Sequence, residues 1–304
     1  NKGISTPIAI LAMLVIGLIY GCVLGYVIAY MNIPPWIATL AGYLAFRGWG
    51  TSILSKNSTT GSVAPIPKDF LSIFSGKLFE TPPNQMNMIC LIVGIICAVI
   101  VVFVNVNNRS KRIKKGYPVD TVQALAIKTV LIVAVILLVT YKLALAGGIP
   151  TTLVWVAVVV LIYSFITEKT TTGRYFYTVG GNAEATRLSG VDTKRIMFLA
   201  YLNMSMLTVV TTFLVISRFQ AANSTAGTNY EMDAISACVV GGVSAYGGAG
   251  SVTGMIVGAT LIGVINLGMS LMGIDANWQK VVKGLVLLGA VVFEIVNNKD
   301  KAAK

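Results

Sequence analysis

Asn182, Glu184, Arg187 and Gly190 stand at spacings that cap and brace a short helix in the middle of a strongly apolar chain. Asn is a favoured N-cap, because its side-chain oxygen accepts from a free backbone N–H two or three residues on. Glu184 then falls in the first turn, where the helix dipole favours negative charge. Glu184 and Arg187 are i, i+3 and can pair. Gly190 suits the left-handed position just past a helix end. The stretch between them, "AEATRLS", makes about two turns. A helix that short is not stable alone in water, so flanking elements must hold it. The residues at its rim, Gly181, Asn182, Glu184, Arg187, Leu188, Ser189 and Gly190, form a rigid polar knob. They suit mechanical contact better than bond-making chemistry. An ordinary capped loop helix is the other reading of the same residues.

A second set of candidates are polar groups in or beside apolar runs, where each costs free energy unless it finds a partner or a wet cavity. These are Asn203, Glu231, Asp233, Asn266 and Lys128, with Tyr230 and Trp278 near a membrane interface. Asn203 and Asn266 suit a helix–helix hydrogen bond as well as a solute pathway. Tyr230 and Trp278 suit an interfacial aromatic belt. Glu231 and Asp233, in "NYEMDA", are placed to cap and orient the apolar segment that follows. Catalytic signals are absent. The chain has no histidine, and its sequence holds no GxxxxGK[ST] phosphate loop. Cys22, Cys90, Cys97 and Cys238 fall in apolar stretches and read as small hydrophobes. No cofactor or metal is expected on this chain, and no enzyme activity.

Composition fixes the elements that must position these groups. The 304 residues are 56% hydrophobic and 11% charged, with a mean hydropathy of +0.80. Charged residues make up about 25% of an ordinary soluble domain. Crossing the hydrocarbon takes about 20 apolar residues per helix. Nine apolar segments are read: Pro7–Tyr30, Pro35–Leu54, Asn87–Val106, Val122–Ala146, Ile149–Thr167, Ile196–Ile216, Asp233–Gly247, Val252–Ile274 and Val281–Val296. The fold class is therefore all-α, a polytopic membrane helical bundle, with 1–304 as a single transmembrane domain. The seventh segment is short and glycine-rich and is expected to be a broken or re-entrant helix. Gly254 and Gly258 form a small-xxx-small pair suited to close helix packing.

More than half of the 23 Lys and Arg residues fall in three places. These are Arg109, Lys111, Arg112, Lys114 and Lys115; Lys169, Arg174, Arg187, Lys194 and Arg195; and Lys299, Lys301 and Lys304. Nine crossings put all three on one side, which the positive-inside rule makes cytoplasmic. The C-terminus and the 168–195 segment then face the cytoplasm. The net charge of +12 follows from the same bias and does not point to nucleic acid. The 55–85 stretch, rich in Ser, Thr, Pro and Gly with an apolar patch "FLSIF", is expected outside, as a connecting or partner-docking loop. The chain opens Asn-Lys without an initiator Met, so a processed or truncated N-terminus is expected.

Three stretches carry a family resemblance: "GGNAEATRLSGVDTKR", the run from "AANSTAGTNYEMDAISACVVGG" to "LGMSLMGI", and "WQKVVKGLVLLGAVVFE". With "IPPWIATLAGYLAFRG" they resemble the permease subunit of bacterial ABC importers for monosaccharides, the ribose, xylose and galactose branch. "RSKRIKKG" and "LAGYLAFRG" are most similar to xylose and multiple-sugar permeases. Members usually carry about three further N-terminal spans with a "GGIDLS"-like stretch, which this chain is expected to lack. "GGVSAYGGAGS" stands for a more usual "GGTSLAGGVGS", and "LGMS" for an "NGLN"-like pair in ribose members; both differences are expected to bear on sugar choice.

The resemblance implies a bacterial inner-membrane subunit bathed in membrane lipid. Its partners would be a cytoplasmic ATP-binding subunit, a periplasmic sugar-binding protein and a second permease chain. ATP and Mg would sit on the ATP-binding partner. It also implies that the capped segment is the coupling helix that enters a groove of the ATPase. Asn203, Tyr230, Glu231, Asp233, Asn266 and Trp278 are then candidates for the sugar pathway. An ion-coupled secondary transporter is the alternative, but the sequence shows no intramembrane carboxylate cluster for a coupling ion. A purely structural subunit would have no use for a coupling motif.

Overall fold

The computed structural model describes residues 5–58, 61–82, 85–114, 116 and 121–302. Asn1, Lys2, Lys115 and Lys304, named above, lie outside them. Twelve helices run through the described residues: α1 (Thr6–Ala29), α2 (Pro35–Asn57), α3 (Lys68–Ser75), α4 (Met88–Lys114), α5 (Val122–Leu145), α6 (Thr151–Lys169), α7 (Thr171–Gly181), α8 (Ala183–Leu188), α9 (Thr193–Phe219), α10 (Tyr230–Val240), α11 (Val252–Leu271) and α12 (Ala276–Ala302). Two-residue strands add small clasps: β1 (Ser62–Val63) pairs with β4 (Ala222–Asn223), and β2 (Lys77–Leu78) with β3 (Ile149–Pro150).

Helices α1, α4, α5, α6, α9 and α11 are long and apolar enough to cross a membrane. Their large side chains are largely turned outward, as at Leu131, Val135 and Leu138 of α5. In water that would be untenable; against lipid tails it is the favourable arrangement. α2 and α12 have the length, but more polar residues interrupt them. Lys128 lies exposed near the start of α5, within snorkelling reach of an interface.

The chain forms two compact units, residues 1–67 with 157–304, and residues 68–156. In the second, α4 and α5 form an antiparallel hairpin that closes at Gly94 against Thr140, with Asn105 Nδ2 donating to Thr129 Oγ1 at 3.2 Å. Asn87 is fully buried and caps α4, accepting from the N–H groups of Ile89 and Cys90 at 3.0 and 3.2 Å and donating to Phe79 O. The "FLSIF" patch is not irregular loop but the amphipathic helix α3, with Phe70 and Phe74 buried. Phe74 stacks near Trp155, whose Nε1 donates to Ile73 O at 3.1 Å.

In the first unit α1 and α9 run antiparallel. Gly17, Gly21 and Gly25 make one face of α1 so flat that Val209, Ser205, Leu202 and Phe198 of α9 seat directly on its backbone. Ser205 Oγ donates to Gly17 O at 2.7 Å, which satisfies a buried hydroxyl between two spans.

The seventh apolar segment differs from its expected limits, Asp233–Gly247. Its helix, α10, starts earlier and ends at Val240, followed by a turn through Gly241 and Gly242 and an irregular stretch to Ser251. Eleven residues rise only about 16 Å, half a bilayer core. α10 is therefore a broken half-helix, as its composition foretold. Gly254 and Gly258 of α11 meet the backbone of Ala237 and Gly241, so the small-xxx-small pair is used.

Candidate functional site

The helix predicted over Ala183–Ser189 is α8, Ala183–Leu188, and its ends are built as the spacing demanded. The N–H of Ala185 donates to Asn182 Oδ1 at 2.9 Å. At the other end Gly190 N–H donates to Arg187 O at 3.0 Å and Val191 N–H to Thr186 O at 3.3 Å. This is the paired bond pattern of a Schellman stop. Gly190 takes φ +85°, where an L side chain is strained. Thr186 is buried, with Oγ1 donating to Asn182 O at 2.8 Å, and Ser189 Oγ donates to Ala185 O at 2.9 Å. Leu188, 78% exposed, stands at the tip.

Arg187 grips Glu184 with two bonds, Nη2 to Oε1 at 2.6 Å and Nε to Oε2 at 3.2 Å. That hydrogen bonding, then the nearby positive charge, holds the Glu184 carboxyl below its ordinary range and raises the guanidinium. The folded carboxyl titrates below its unfolded value. The pair is therefore complete above the ordinary carboxylate range and is lost as pH falls through the lowered value. Both groups are exposed, so the pair aligns the helix more than it stabilises the protein. Arg187→Met should return Glu184 to the ordinary carboxylate range in a carboxyl-carbon NMR titration; an unmoved titration would contradict the pairing.

One supporting element went unread in the sequence. The stretch before Asn182 forms helix α7, capped by Thr170, whose Oγ1 accepts from Gly173 N at 3.1 Å. α7 carries the knob and seats it against the loop that follows α10. Tyr177 Oη donates to Gly250 O at 3.1 Å. Gly180 and Gly181 press on Gly247 and Gly248 so closely that a Cβ on Gly248 would stand 2.7 Å from Gly181 Cα. "GGVSAYGGAGS", expected to bear on sugar choice, packs on the element that carries α8.

The pathway candidates separate. Asn203 accepts from Tyr163 Oη across α6 and α9, so it serves helix packing. Asp233 does not cap α10, whose N-cap, Asn229, makes no side-chain bond. Its carboxylate instead meets Lys283 Nζ at 2.8 and 3.0 Å and Asn266 Nδ2 at 3.5 Å. This ties α10, α11 and α12 together through part-buried polar groups. Lys283 was missed in the sequence. Tyr230 and Trp278 are exposed on the first turns of α10 and α12. Glu231 lies apart from this cluster and lines an open cleft of about 510 Å³ between α1, α2, α9 and the residue 222–231 stretch. The cleft also holds Arg47, another missed residue, which donates to Ser224 O at 3.0 Å and lies over the Tyr43 ring. Among the described residues no three His, Cys, Asp or Glu side chains gather as a metal site.

Comparison with known proteins places this architecture. Residues 1–291 match the family described as branched-chain amino acid transport system / permease component. The xylose transport system permease protein XylH of Haemophilus influenzae is 35% identical over 302 residues, 98% of this chain and 76% of that protein. XylH of Escherichia coli K12 is 32% identical over 292 residues, 95% of this chain and 71% of that protein. The ribose import permease protein RbsC of Escherichia coli K12 is 39% identical over 154 residues, 51% of this chain and 47% of that protein. No solved structure matches. The chain belongs to this family of transport-system permeases, the class that the resemblance of its sequence had implied.

Proposed function

We propose that this chain is the membrane-spanning subunit of an ATP-driven importer for a monosaccharide of the xylose or ribose kind. What supports the reading most is the similarity to xylose permeases along nearly the whole chain, together with the doubly capped α8. ATP would be hydrolysed on a separate cytoplasmic subunit, with ATP and Mg held there. A periplasmic sugar-binding protein would deliver the sugar, and a second copy of this chain would complete the passage. Asn182, Glu184, Arg187, Leu188, Ser189 and Gly190 would seat in the ATPase, with Gly181 joining them to α7.

Geometry suits the division of labour. α8 precedes α9, and the polar cleft is closed by residues that follow α9. α9 has 27 residues, a rise of about 40 Å, so knob and cleft sit at opposite ends of one rigid span. The reading predicts ATP-dependent uptake of labelled D-xylose or D-ribose into vesicles holding this chain, its ATPase and its binding protein. Uptake driven by a sodium or proton gradient without ATP would favour the secondary-transporter reading instead.

The topology makes a separate prediction. In a chain freed of its own cysteines, Ser110→Cys and Ser189→Cys should react with an impermeant maleimide only from the cytoplasm. Ser62→Cys should react only from outside. Labelling of Ser110→Cys and Ser62→Cys from one side would overturn the inward placement of the basic segments.

A further inference from the structure

One face of α2 is polar along most of its length. Thr39, Tyr43, Arg47 and Thr51 follow at steps of four, the spacing that stacks side chains on one side of a helix. All four line the cleft, together with Tyr20 of α1 and Glu231 of α10. A row of hydroxyls and a guanidinium costs free energy against lipid, so it marks a face kept wet. This stripe also explains why α2 falls outside the six apolar spans.

The lining has the chemistry of a neutral polyol site. Arg47 is held in place by Ser224 O and by Tyr43, at 5.1 Å from the ring centroid. That anchor takes one of the five donors a guanidinium carries. Glu231 makes no hydrogen bond or ion pair among the described residues, so its acceptor oxygens remain for a solute. Donors on Arg47 and acceptors on Glu231 match the hydroxyls of a sugar, each of which both donates and accepts. Tyr20 and Tyr43 add flat rings suited to the C–H faces of such a ring. Tyr20 meets Phe46 edge-on, with centroids 4.7 Å apart, and its hydroxyl rests over Gly42. A larger residue than Gly42 would push that ring into the space. The cavity, at about 510 Å³, lies within the usual range for small-molecule sites of roughly 300–1,000 Å³.

We infer that this cleft is a sugar-binding station on the transport route, with Arg47 as donor, Glu231 as acceptor, and Tyr20 and Tyr43 as its aromatic walls. The inference rests on the reading of the chain as a sugar permease. A zwitterionic amino acid could also use a guanidinium and a carboxylate, so the test must separate the two.

In a cysteine-free background, Thr51→Cys reports on the cleft, and Ser72→Cys, an exposed residue outside the cleft lining, serves as the control. High D-xylose or D-ribose should slow maleimide labelling of Thr51→Cys and leave Ser72→Cys unchanged; L-leucine should protect neither. Glu231→Gln keeps shape and loses charge, and Arg47→Met removes the donors. Losing a hydrogen bond to a charged group should weaken pentose protection about tenfold. ATP-driven pentose uptake, measured beside it, should fall in both variants while the ATPase stays bound. Arg47→Met also loses its tie to Ser224, so Glu231→Gln decides if that variant is unstable. If the parent chain imports pentose but shows no protection, and Glu231→Gln imports at the parental rate, the station is refuted and the permease reading stands. Protection by leucine in place of pentose refutes the station as well. Failure of the parent chain to import either pentose removes the permease reading, and the inference with it.

Discussion

Gly248→Val should reduce sugar uptake by more than tenfold while the chain still inserts and still binds its ATPase. Gly248 has φ +76°, and its absent Cβ would lie 2.7 Å from Gly181 Cα and 2.9 Å from Gly181 N. Both obstacles are backbone atoms, which cannot swing aside as a side-chain tip can. The left-handed conformation costs a β-branched residue about 1–2 kcal/mol. Overpacking adds typically 1–3 kcal/mol. Their sum is enough to lift the 243–251 loop from α7 and too little to unfold a bundle of long spans. Gly242→Ala is the matched control. Gly242 also has positive φ, +83°, but open space around its Cβ position. Gly242→Ala should keep most of the uptake, and Gly248→Ala should lose most of it. Equal uptake by the two would mean that the loop contact carries no movement.

Asp233→Ala should lower the thermal stability of the purified chain substantially, and Lys283→Met should do the same. Each leaves a part-buried charge without its partner between α10, α11 and α12. Stranding one member of a fully buried pair costs about 3–5 kcal/mol. Asp233 and Lys283 keep 28% and 22% of their side-chain surface, so roughly half of that is expected here. The double variant removes both charges and should be more stable than either single one. The coupling read from that cycle should be about 1–3 kcal/mol. Additive losses in the cycle would show that the two groups do not act as a pair.

Local signals in the sequence were legible because their partners lie within a few residues. Asn182 and Gly190 cap a helix through bonds that reach only three to five positions along the chain, so spacing alone determined α8. The broken seventh segment was legible from its length and its glycines. What escaped were contacts across distance. Sequence spacing offers Asp233 the free N–H groups of its own helix, but in three dimensions a lysine 50 positions away is its partner. Lys283 lies inside an apolar run, where spacing gives no sign of a partner so far along the chain. Arg47 also lies inside an apolar run, and its only sequence signal is the four-residue stepping from Thr39 to Thr51. α7 was missed because glycines and Thr residues depress helix propensity; Thr170 was the signal that could have found it. The Gly180–Gly248 contact needed coordinates, since a glycine states that something comes close but not what.

The central claim is that α8 delivers the work of ATP hydrolysis to the spans. Gly190→Val and Arg187→Glu test it with no span touched. Among the described residues, nothing beyond its chain neighbours lies within 4 Å of a Cβ built on Gly190, so valine there acts by straining φ and loosening the helix stop. Arg187→Glu sets a like charge beside Glu184 and reverses the sign offered to the partner. The decisive measurement is sugar-stimulated ATP turnover in vesicles holding the permease, its ATPase and loaded binding protein, read together with capture of the ATPase by the tagged permease. The account predicts normal insertion with weak capture, or normal capture with stimulation lost, for both variants. Wild-type capture and wild-type stimulation in both would contradict it, and α8 would then be an ordinary capped loop.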